Sequence, residues 1–340
     1  MIAGLRVLRS GHTTFQDLGR HGAESIGLSV NGAPDQLSAQ VANILVGNPR
    51  GATHLELTAF HATFRAEAPV LVAVAGATCD ISVDGVQRAA GTPIPLQTGQ
   101  QLSIDRLRDG IRVALAVNGV IAAPLLAHSA APDPIVGFPQ RLADGDLVEI
   151  ESRHRDFNHP EFDLPLFRFW PPSTQTTLSN ELRITVGTDS EELQSPDALT
   201  RLPFTVSPVS DYVGLRLGGA TIERTTSREL VSRGVPVGGV ELLPSGELIV
   251  LNRGRYVTAG YPIVGVVTRA TQPLLGQVAP GDEIRFRWQS RREAVEAYRT
   301  DVASLDRLER LVDSAFRASG LLHEHPDYLH SAPSSSPSSR

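Results

Sequence analysis

The sequence predicts a mainly β protein with two domains of the barrel or sandwich type. Short segments rich in Val, Ile and Phe recur along the chain, as at 70–75, 111–117 and 247–251. Gly, Pro, Asp and Asn separate these segments, which is typical of the turns in barrels and sandwiches. The chain has 340 residues, and at about 150 residues per domain this length favours two domains.

Turn signals and a repeated pattern locate several strands. Asp84-Gly85, Asn118-Gly119 and Ser245-Gly246 are dipeptides that suit tight hairpins. A Gly, a polar residue and then alternating apolar residues occur at 96–104, 142–150 and 278–286, so each segment predicts a turn that leads into a barrel strand. We therefore expect β-barrel domains at 1–152 and 181–290.

Three helices are predicted. The first lies within 33–49, where Pro34 and Asp35 can start a helix that Gly47 ends. The second spans 195–202, with Ser195 as its N-cap and Pro next in sequence. The third spans 291–322 and has leucines at helical spacing. The Pro-rich segment 153–180 is expected to connect the domains, and the Ser-rich tail 323–340 to be disordered.

Composition excludes several classes of chemistry. All 31 basic residues are Arg, so the chain cannot supply a Schiff-base lysine, a lysine base or a P-loop lysine. Anions must be held by Arg, backbone N–H groups or helix ends. The single cysteine, Cys79, excludes an intrachain disulfide and a cysteine-based zinc site. The net charge of −6 with scattered arginines argues against nucleic acid as a partner. No apolar segment resembles a membrane helix or a secretory signal, so we expect no membrane association and a cytoplasmic location.

The first domain contains two candidate sites. Residues 13–35 concentrate polar side chains among glycines: Gln16, Asp17, Arg20, Asn31 and Asp35. Arg20 could bind a carboxylate with two hydrogen bonds. Alternatively, Asp17 and Arg20 pair within a turn and Asp35 starts the helix. Glu56 lies between apolar neighbours, where burial could raise its pKa for use as a base, although it could equally face solvent.

The second domain contains further candidates at turns and strand starts: Ser207, Ser210, Asp211, Arg216, Glu241 and Tyr261. The Ser and Asp residues have no neighbouring His, so turn formation is the alternative to catalysis. His323, His325 and His330 could bind a metal, but they adjoin the Ser-rich tail, and no metal site is expected in this chain. Neither a Walker A motif nor a strand followed by G-x-G-x-x-G is present.

The order of the motifs is more specific than any one of them. "QDLGR", "NGAPDQLSAQVANILVGNP", "LELT", "SPVSDYVGLRL", "SRGVPVGGV" and "AGYP" follow one another along the chain. Together they resemble the C-subunit family of bacterial 5-oxoprolinase, also known as allophanate hydrolase subunit 2. The same arrangement is similar to half of the carboxyltransferase domain of urea carboxylase. The resemblance runs from about residue 5 to residue 298.

This resemblance implies two cyclophilin-like β-barrels and an active site in a groove shared with a smaller B-type subunit. It implies ATP-dependent opening of 5-oxoproline in a complex that also contains an A-type subunit. Carboxyl transfer from biotin and regulation without catalysis are the alternatives. The substrate would be a small cyclic or planar amide, held by hydrogen bonds while charge develops on its oxygen.

The resemblance also suggests roles for the candidate residues. Arg20 and Arg216 would bind anionic groups, Asp35 or Glu56 would be the general base, and Tyr261 would support the amide oxygen. The remaining candidates would bind substrate: Gln16, Asp17, Asn31, Ser207, Ser210, Asp211 and Glu241.

Three changes of charge relative to the family pattern fall in the second domain. Tyr212 stands where the family usually has Arg, Arg233 where it has Glu, and Ile263 where it has Lys. A branched hydrocarbon cannot bind an anion or polarise an amide as an ammonium does. The departures indicate a different substrate, compensation by another Arg, or loss of activity.

Overall fold

The structure is a computed structural model that describes residues 2–139, 141–152, 169, 171, 180–226 and 230–318. The predicted mainly β fold is confirmed. The strands of the first domain are β1 Ile2–Arg9, β2 Thr13–Gln16, β3 His54–Thr58, β4 Ala62–Ala66, β5 Val70–Val83, β6 Val86–Arg88, β7 Ile94–Leu96, β8 Gln101–Val117, β9 Gly119–Ile121 and β10 Leu147–Ser152. Those of the second are β11 Glu181–Val186, β12 Phe204–Val206, β13 Gly214–Gly218, β14 Arg233–Gly234, β15 Gly239–Leu242, β16 Leu248–Leu251, β17 Thr258–Ala259, β18 Ile263–Val267 and β19 Glu283–Trp288.

The first domain is one ten-stranded sheet. Its strands follow the order β2-β3-β8-β4-β1-β10-β9, and the long β5 pairs with β6, β7 and β8. Strand β8 is long enough to pair with β4 through its first half and with β3 through its second. Residues that alternate along these strands, such as Leu55, Leu57, Val113 and Leu115, point to one side and form the core.

The second domain is a closed seven-stranded barrel. Its order is β11-β18-β15-β16-β13-β12-β19, and a parallel pairing of β19 with β11 closes it. The turn pattern at 278–286 therefore leads into the closing strand, as predicted. The interior is apolar and includes Val240, Leu242, Leu248 and Val250. Strands β14 and β17 form a separate two-stranded ribbon.

A helix is present at each of the three predicted places, and α3 was not predicted. They are α1 Gln36–Leu45, α2 Ala198–Arg201, α3 Gln272–Leu275 and α4 Arg291–Ala318. Asp35 is the N-cap of α1 and accepts a hydrogen bond from the Ser38 N–H at 3.0 Å. Ser195 as an N-cap was wrong, because α2 begins three residues later and no side chain caps it. Helix α4 packs on α1 and on the outer face of the first sheet.

Two of the three turn pairs form the predicted hairpins. Asp84-Gly85 joins β5 to β6, and Ser245-Gly246 lies between the paired strands β15 and β16. The hairpin at Asn118-Gly119 was wrong, because β9 pairs with β10 instead of β8. The Asn118 side chain instead donates to the carbonyl of Val46 at 2.7 Å, after α1.

Several expectations lie outside the described residues. They are most of the connecting segment 153–180, the last residues of the C-terminal helix, and the tail with its three histidines. Among the residues that are described, no helix is long and apolar enough to cross a membrane.

Gln277 joins the two domains. It follows α3 in the second domain and is 2% exposed. Its Oε1 accepts from the backbone N–H groups of Ile111 and Arg112 at 3.1 and 3.0 Å. Its Nε2 donates to Asp35 Oδ2 at 2.6 Å and to the Arg112 carbonyl at 3.1 Å. The backbone of Gly276 also lies against the first domain, since a Cβ at this position would be 2.7 Å from the backbone nitrogen of Asp35.

Replacing Gln277 is therefore expected to destabilise the protein. The change Gln277→Ala removes four hydrogen bonds to the first domain, one of them to the buried carboxylate of Asp35, so the free energy of unfolding should fall by about 2–4 kcal/mol. Urea denaturation measures this loss. The exposed Gln87 in β6 is the matched control, and Gln87→Ala should change stability by less than about 0.5 kcal/mol. Equal effects of the two substitutions would contradict this account of the junction.

Candidate functional site

Strand alternation puts a polar patch on the outer face of the first sheet, beside the apolar part of that face that α1 and α4 cover. Leu55 and Leu57 point inward, so Glu56 between them points outward. In the same way Gln16 on β2 and Arg112 on β8 share this outer face. This polar surface meets the second domain, which explains how Glu56 is 5% exposed on an outward face.

Tyr212 connects this face to the second domain. Its hydroxyl accepts from Gln16 Nε2 at 3.2 Å and donates to the Gly32 carbonyl at 2.8 Å. Its ring lies over Gly254, where a Cβ would be 2.2 Å from the ring, so no other residue fits without movement. Burial raises the pKa of the Tyr212 hydroxyl, which therefore stays protonated at neutral pH.

Glu56 is the ionisable centre of this region. Burial raises the pKa of its carboxyl to about 7, while Arg112 opposes the shift and Asp35 adds to it. Arg112 Nε lies 3.5 Å from Glu56 Oε1, and its Nη1 donates to the carbonyl of Gly276. The Glu56 carboxyl therefore lies beside Arg112, which also bonds to Gly276 where the two domains meet.

Arg253 makes another cross-domain contact. Its Nε donates to the Asn31 carbonyl at 2.6 Å and its Nη2 to the Leu18 carbonyl at 2.8 Å. Burial lowers the pKa of the guanidinium to about 10, which still leaves it charged at neutral pH. We call this group the interdomain polar layer; its members are Gln16, Asp35, Glu56, Arg112, Tyr212, Arg253 and Gln277.

Asp17 and Arg20 both form hydrogen bonds to the loop at residues 126–133, and they do not pair with each other. Asp17 accepts from Ser129 Oγ and the Ala130 N–H, both at 2.7 Å. Arg20 is buried, pairs with Asp133 at 3.4 Å and donates to three backbone carbonyls. These contacts favour a structural role for Arg20 over the anion binding that the sequence suggested.

Asn31 and Asp35 are likewise occupied by protein partners. The Asn31 backbone is left-handed, with φ of 49°, and its Nδ2 donates to Asp133 Oδ2 at 2.7 Å. Asp35 accepts from the N–H and hydroxyl of Ser38 and from Gln277. Burial raises the pKa of the Asp35 carboxyl, although these hydrogen bonds oppose the shift.

The second-domain candidates lie on the outer face of the barrel. Directly paired residues point to the same side of a sheet, so the pairings Arg216–Ile249, Ile249–Glu241 and Glu241–Ile263 place these four side chains in one line across four strands. We call this line the outer row. Arg216 at one end is exposed, and Ile263 at the other is buried.

Glu241 is an isolated buried carboxyl within the outer row. It is 3% exposed, and its Oε1 has no hydrogen-bond partner among the described residues. Burial alone raises its pKa to about 7. Its neighbourhood is apolar because Ile263 packs with Leu251, Val235 and Ala259.

The charge of Arg233, which departs from the family pattern, is paired with Asp189. Arg233 donates to Asp189 Oδ2, an oxygen that also accepts from the Ile263 N–H at 2.8 Å. The Asp189 N–H donates in turn to the Ile263 carbonyl at 3.0 Å. Asp189 therefore fixes the start of β18 and occupies the guanidinium of Arg233.

The remaining candidates form a turn beside Arg216. Ser210 Oγ accepts from the Arg216 N–H at 3.0 Å, and the Ser207 N–H donates to the Arg216 carbonyl at 2.9 Å. Asp211 Oδ1 accepts from two backbone N–H groups in the same turn. These contacts support the turn interpretation and show how Arg216 is positioned. Tyr261 is 42% exposed, at the turn before Ile263.

Sequence reasoning missed four members or supports of the interdomain polar layer: Arg112, Asp133, Arg253 and Gln277. Arg112 had a visible signal, because it is the one charge within the apolar segment 111–117. Gln277 had none, since its partners, the backbone of Ile111 and Arg112 and the carboxylate of Asp35, lie more than 160 residues away.

No group of three or more metal-ligating side chains is placed to hold an ion in the part of the chain that the structure describes. Cys79 is partly buried, and burial raises the pKa of its thiol to about 11, which does not suit a nucleophile.

Fold and site together define a β protein that consists of a ten-stranded sheet and a closed seven-stranded barrel, with buried ionisable groups between the two and on one face of the barrel. Residues 26–288 match the family described as carboxyltransferase domain, subdomain A and B. The chain belongs to this family.

Similarity to individual proteins supports the same family assignment. The chain is 34% identical over 300 residues to the 5-oxoprolinase C-subunit of Escherichia coli, covering 86% of this chain and 94% of the relative. It is 25% identical to a putative urea carboxylase of Emericella nidulans, covering 96% of this chain but 29% of the relative. The crystal structure of TTHA0988 superposes with a TM-score of 0.74 at 29% identity, covering 84% of this chain. This chain spans about half of that protein, at 55%.

The pKa of Glu241 predicts a pH-dependent stability. A carboxyl with a pKa of about 7 in the folded state and an ordinary value of 4.5 when unfolded binds its proton more tightly in the folded state. Stability is therefore greatest below about pH 4.5 for this group and falls as the pH rises to about 7, by up to about 3 kcal/mol. Glu241→Gln should remove this part of the slope in urea denaturation between pH 5 and pH 8. Glu247→Gln, an exposed neighbour, should leave the slope unchanged, and equal slopes for all three proteins would refute the assignment.

Proposed function

We propose that this chain is one component of an ATP-dependent amidohydrolase of the 5-oxoprolinase type, active in complex with partner subunits of the B and A types. The observation that carries the proposal is the 34% identity to the 5-oxoprolinase C-subunit over nearly the whole of both chains. The substrate is a small cyclic amide, and ATP is used by the assembled complex. TTHA0988, a longer chain than this one, is compatible with a module that works beside another.

The buried carboxyls support amide chemistry. A general base works best when its pKa is near the operating pH, and Glu56 meets this condition with a pKa of about 7. The oxygens of Asp35 are already engaged by Ser38 and Gln277. Of the two bases that the sequence offered, we therefore propose Glu56. Tyr261, exposed at a turn of the second domain, is proposed to support the amide oxygen.

The decisive experiment reconstitutes the complex. We expect the chain, co-expressed with its A- and B-type subunits, to show ATP hydrolysis that depends on 5-oxoproline, and Glu56→Gln to lower kcat by about 100-fold. Asp105→Asn, in the opposite half of β8 from the residues that pair with β3, is the control and should retain activity. An intact complex without turnover would exclude the proposal.

The alternative is a biotin-dependent carboxyltransferase subunit; it is supported because the family is described as a carboxyltransferase domain and a putative urea carboxylase is among the relatives. This alternative expects carboxyl exchange with carboxybiotin and a biotin carboxylase encoded beside the gene. A complex that fails to exchange carboxyl excludes it.

A regulatory role without catalysis is supported by Tyr212, Arg233 and Ile263. On this alternative, activity would arise only after Tyr212→Arg and Ile263→Lys restore the family's charges. Turnover by the native complex excludes it.

A further inference from the structure

Two adjoining cavities lie beneath the first half of helix α4. The larger is a groove of about 430 Å³ between α4 and the outer face of the second barrel. Ala294 and Tyr298 line it from the helix, and Thr185 and Val266, which are paired on β11 and β18, line it from the barrel. Because Ala294 and Tyr298 are four residues apart, both belong to one face of α4. The groove is lined mainly by apolar atoms.

The smaller cavity lies where the two domains and α4 meet, and its volume is about 250 Å³. Leu18 lines it from the first domain, Pro273 from the second and Asp301 from α4. Arg269 and Tyr298 line both cavities, so the two adjoin. A small molecule that enters here therefore meets an apolar groove on one side and charged side chains on the other.

The positive charge of Arg269 is not balanced by a carboxylate of the described chain. Its Nη1 donates to Gln272 Oε1 at 3.3 Å and its Nη2 to Gln36 Oε1 at 3.5 Å, which are long hydrogen bonds to neutral amides. Repulsion from Arg269 also adds to the burial that lowers the pKa of Arg253. An anionic group bound at Arg269 would offset this repulsion.

Asp301 carries the opposite charge in the smaller cavity. It is partly buried, and its carboxylate forms no hydrogen bond or ion pair with the residues that the structure describes. Burial raises the pKa of the Asp301 carboxyl, although Arg183 opposes the shift. Farther along the same helix, Asp306 instead accepts a hydrogen bond from Arg50 at 2.6 Å.

We propose that the two cavities together bind an α-amino acid with an apolar side chain. The carboxylate of this ligand pairs with Arg269, its ammonium pairs with Asp301, and its side chain lies in the groove beside Tyr298. A simple anion would be repelled by Asp301 and a simple amine by Arg269, whereas a zwitterion satisfies both. The site is separate from the interdomain polar layer and does not depend on the proposed function.

Four probes separate the three contacts. L-Leucine carries both charges and an apolar side chain, 4-methylpentanoate lacks the ammonium, 3-methylbutylamine lacks the carboxylate, and glycine lacks the side chain. Isothermal titration calorimetry on the full chain at neutral pH should show that L-leucine binds most tightly. Each lost contact should weaken binding by about tenfold.

Variants then assign the charged contacts to their residues. Asp301→Asn should remove the preference for L-leucine over 4-methylpentanoate, and Arg269→Gln the preference for L-leucine over 3-methylbutylamine. The matched controls Asp313→Asn and Arg307→Gln change exposed charges of α4 outside both cavities and should leave all affinities unchanged.

The apolar contact has its own pair of variants. Ala294→Phe fills the groove, so it should weaken binding of L-leucine and leave that of glycine unchanged. Ala303→Phe, at an exposed position of the same helix, should change neither.

Thermal unfolding separates ligand binding from a structural role. Saturating L-leucine should raise Tm of the native protein, because it binds only the folded chain, and should not raise Tm of the Asp301→Asn or Arg269→Gln variants. The ranking of the probes on the native protein decides the proposal even where a variant fails to fold. Equal affinity for L-leucine and its two singly charged analogues, or no binding of any probe, would overturn it.

Discussion

The side chain of Gln277 is the constraint on which the arrangement of the site depends. A single amide uses its donor and acceptor atoms to join the backbone of β8 and the carboxylate of Asp35 to the second barrel. Because Arg112 is one of the residues it fixes, the position of Glu56 follows from the same contact. Burial of Glu56, and with it the raised pKa of its carboxyl, is therefore a consequence of how the domains meet.

The sequence predicted the fold better than the site. Alternating apolar residues, Gly-containing turns and the N-cap at Asp35 are local signals, and the strands and α1 follow them. The errors came where a distant partner decides the outcome: Asn118 bonds to the end of α1 instead of turning a hairpin. Glu56 illustrates the limit, because strand alternation gives its side of the sheet but only the second domain buries that side.

The two sets of candidate residues differ in whether their polar atoms have hydrogen-bond partners within the chain. In the first domain, Asp17, Arg20 and Asp35 have hydrogen-bond partners that account for their polar atoms by structure alone. A charge paired in this way is costly to separate from its partner and has little left to offer a ligand. On the outer row, Oε1 of Glu241 has no such partner among the described residues, and Arg216 is exposed to solvent.

Two of the residues that depart from the family pattern have specific hydrogen-bond partners. Tyr212 bonds to Gln16 and Gly32 across the domains, and its ring requires Gly254 beneath it. Arg233 has Asp189 as its partner, and Asp189 also holds the backbone of Ile263. Tyr212 and Arg233 are thus each accommodated by hydrogen bonds to residues that lie far away in the sequence, which the motif comparison alone could not reveal.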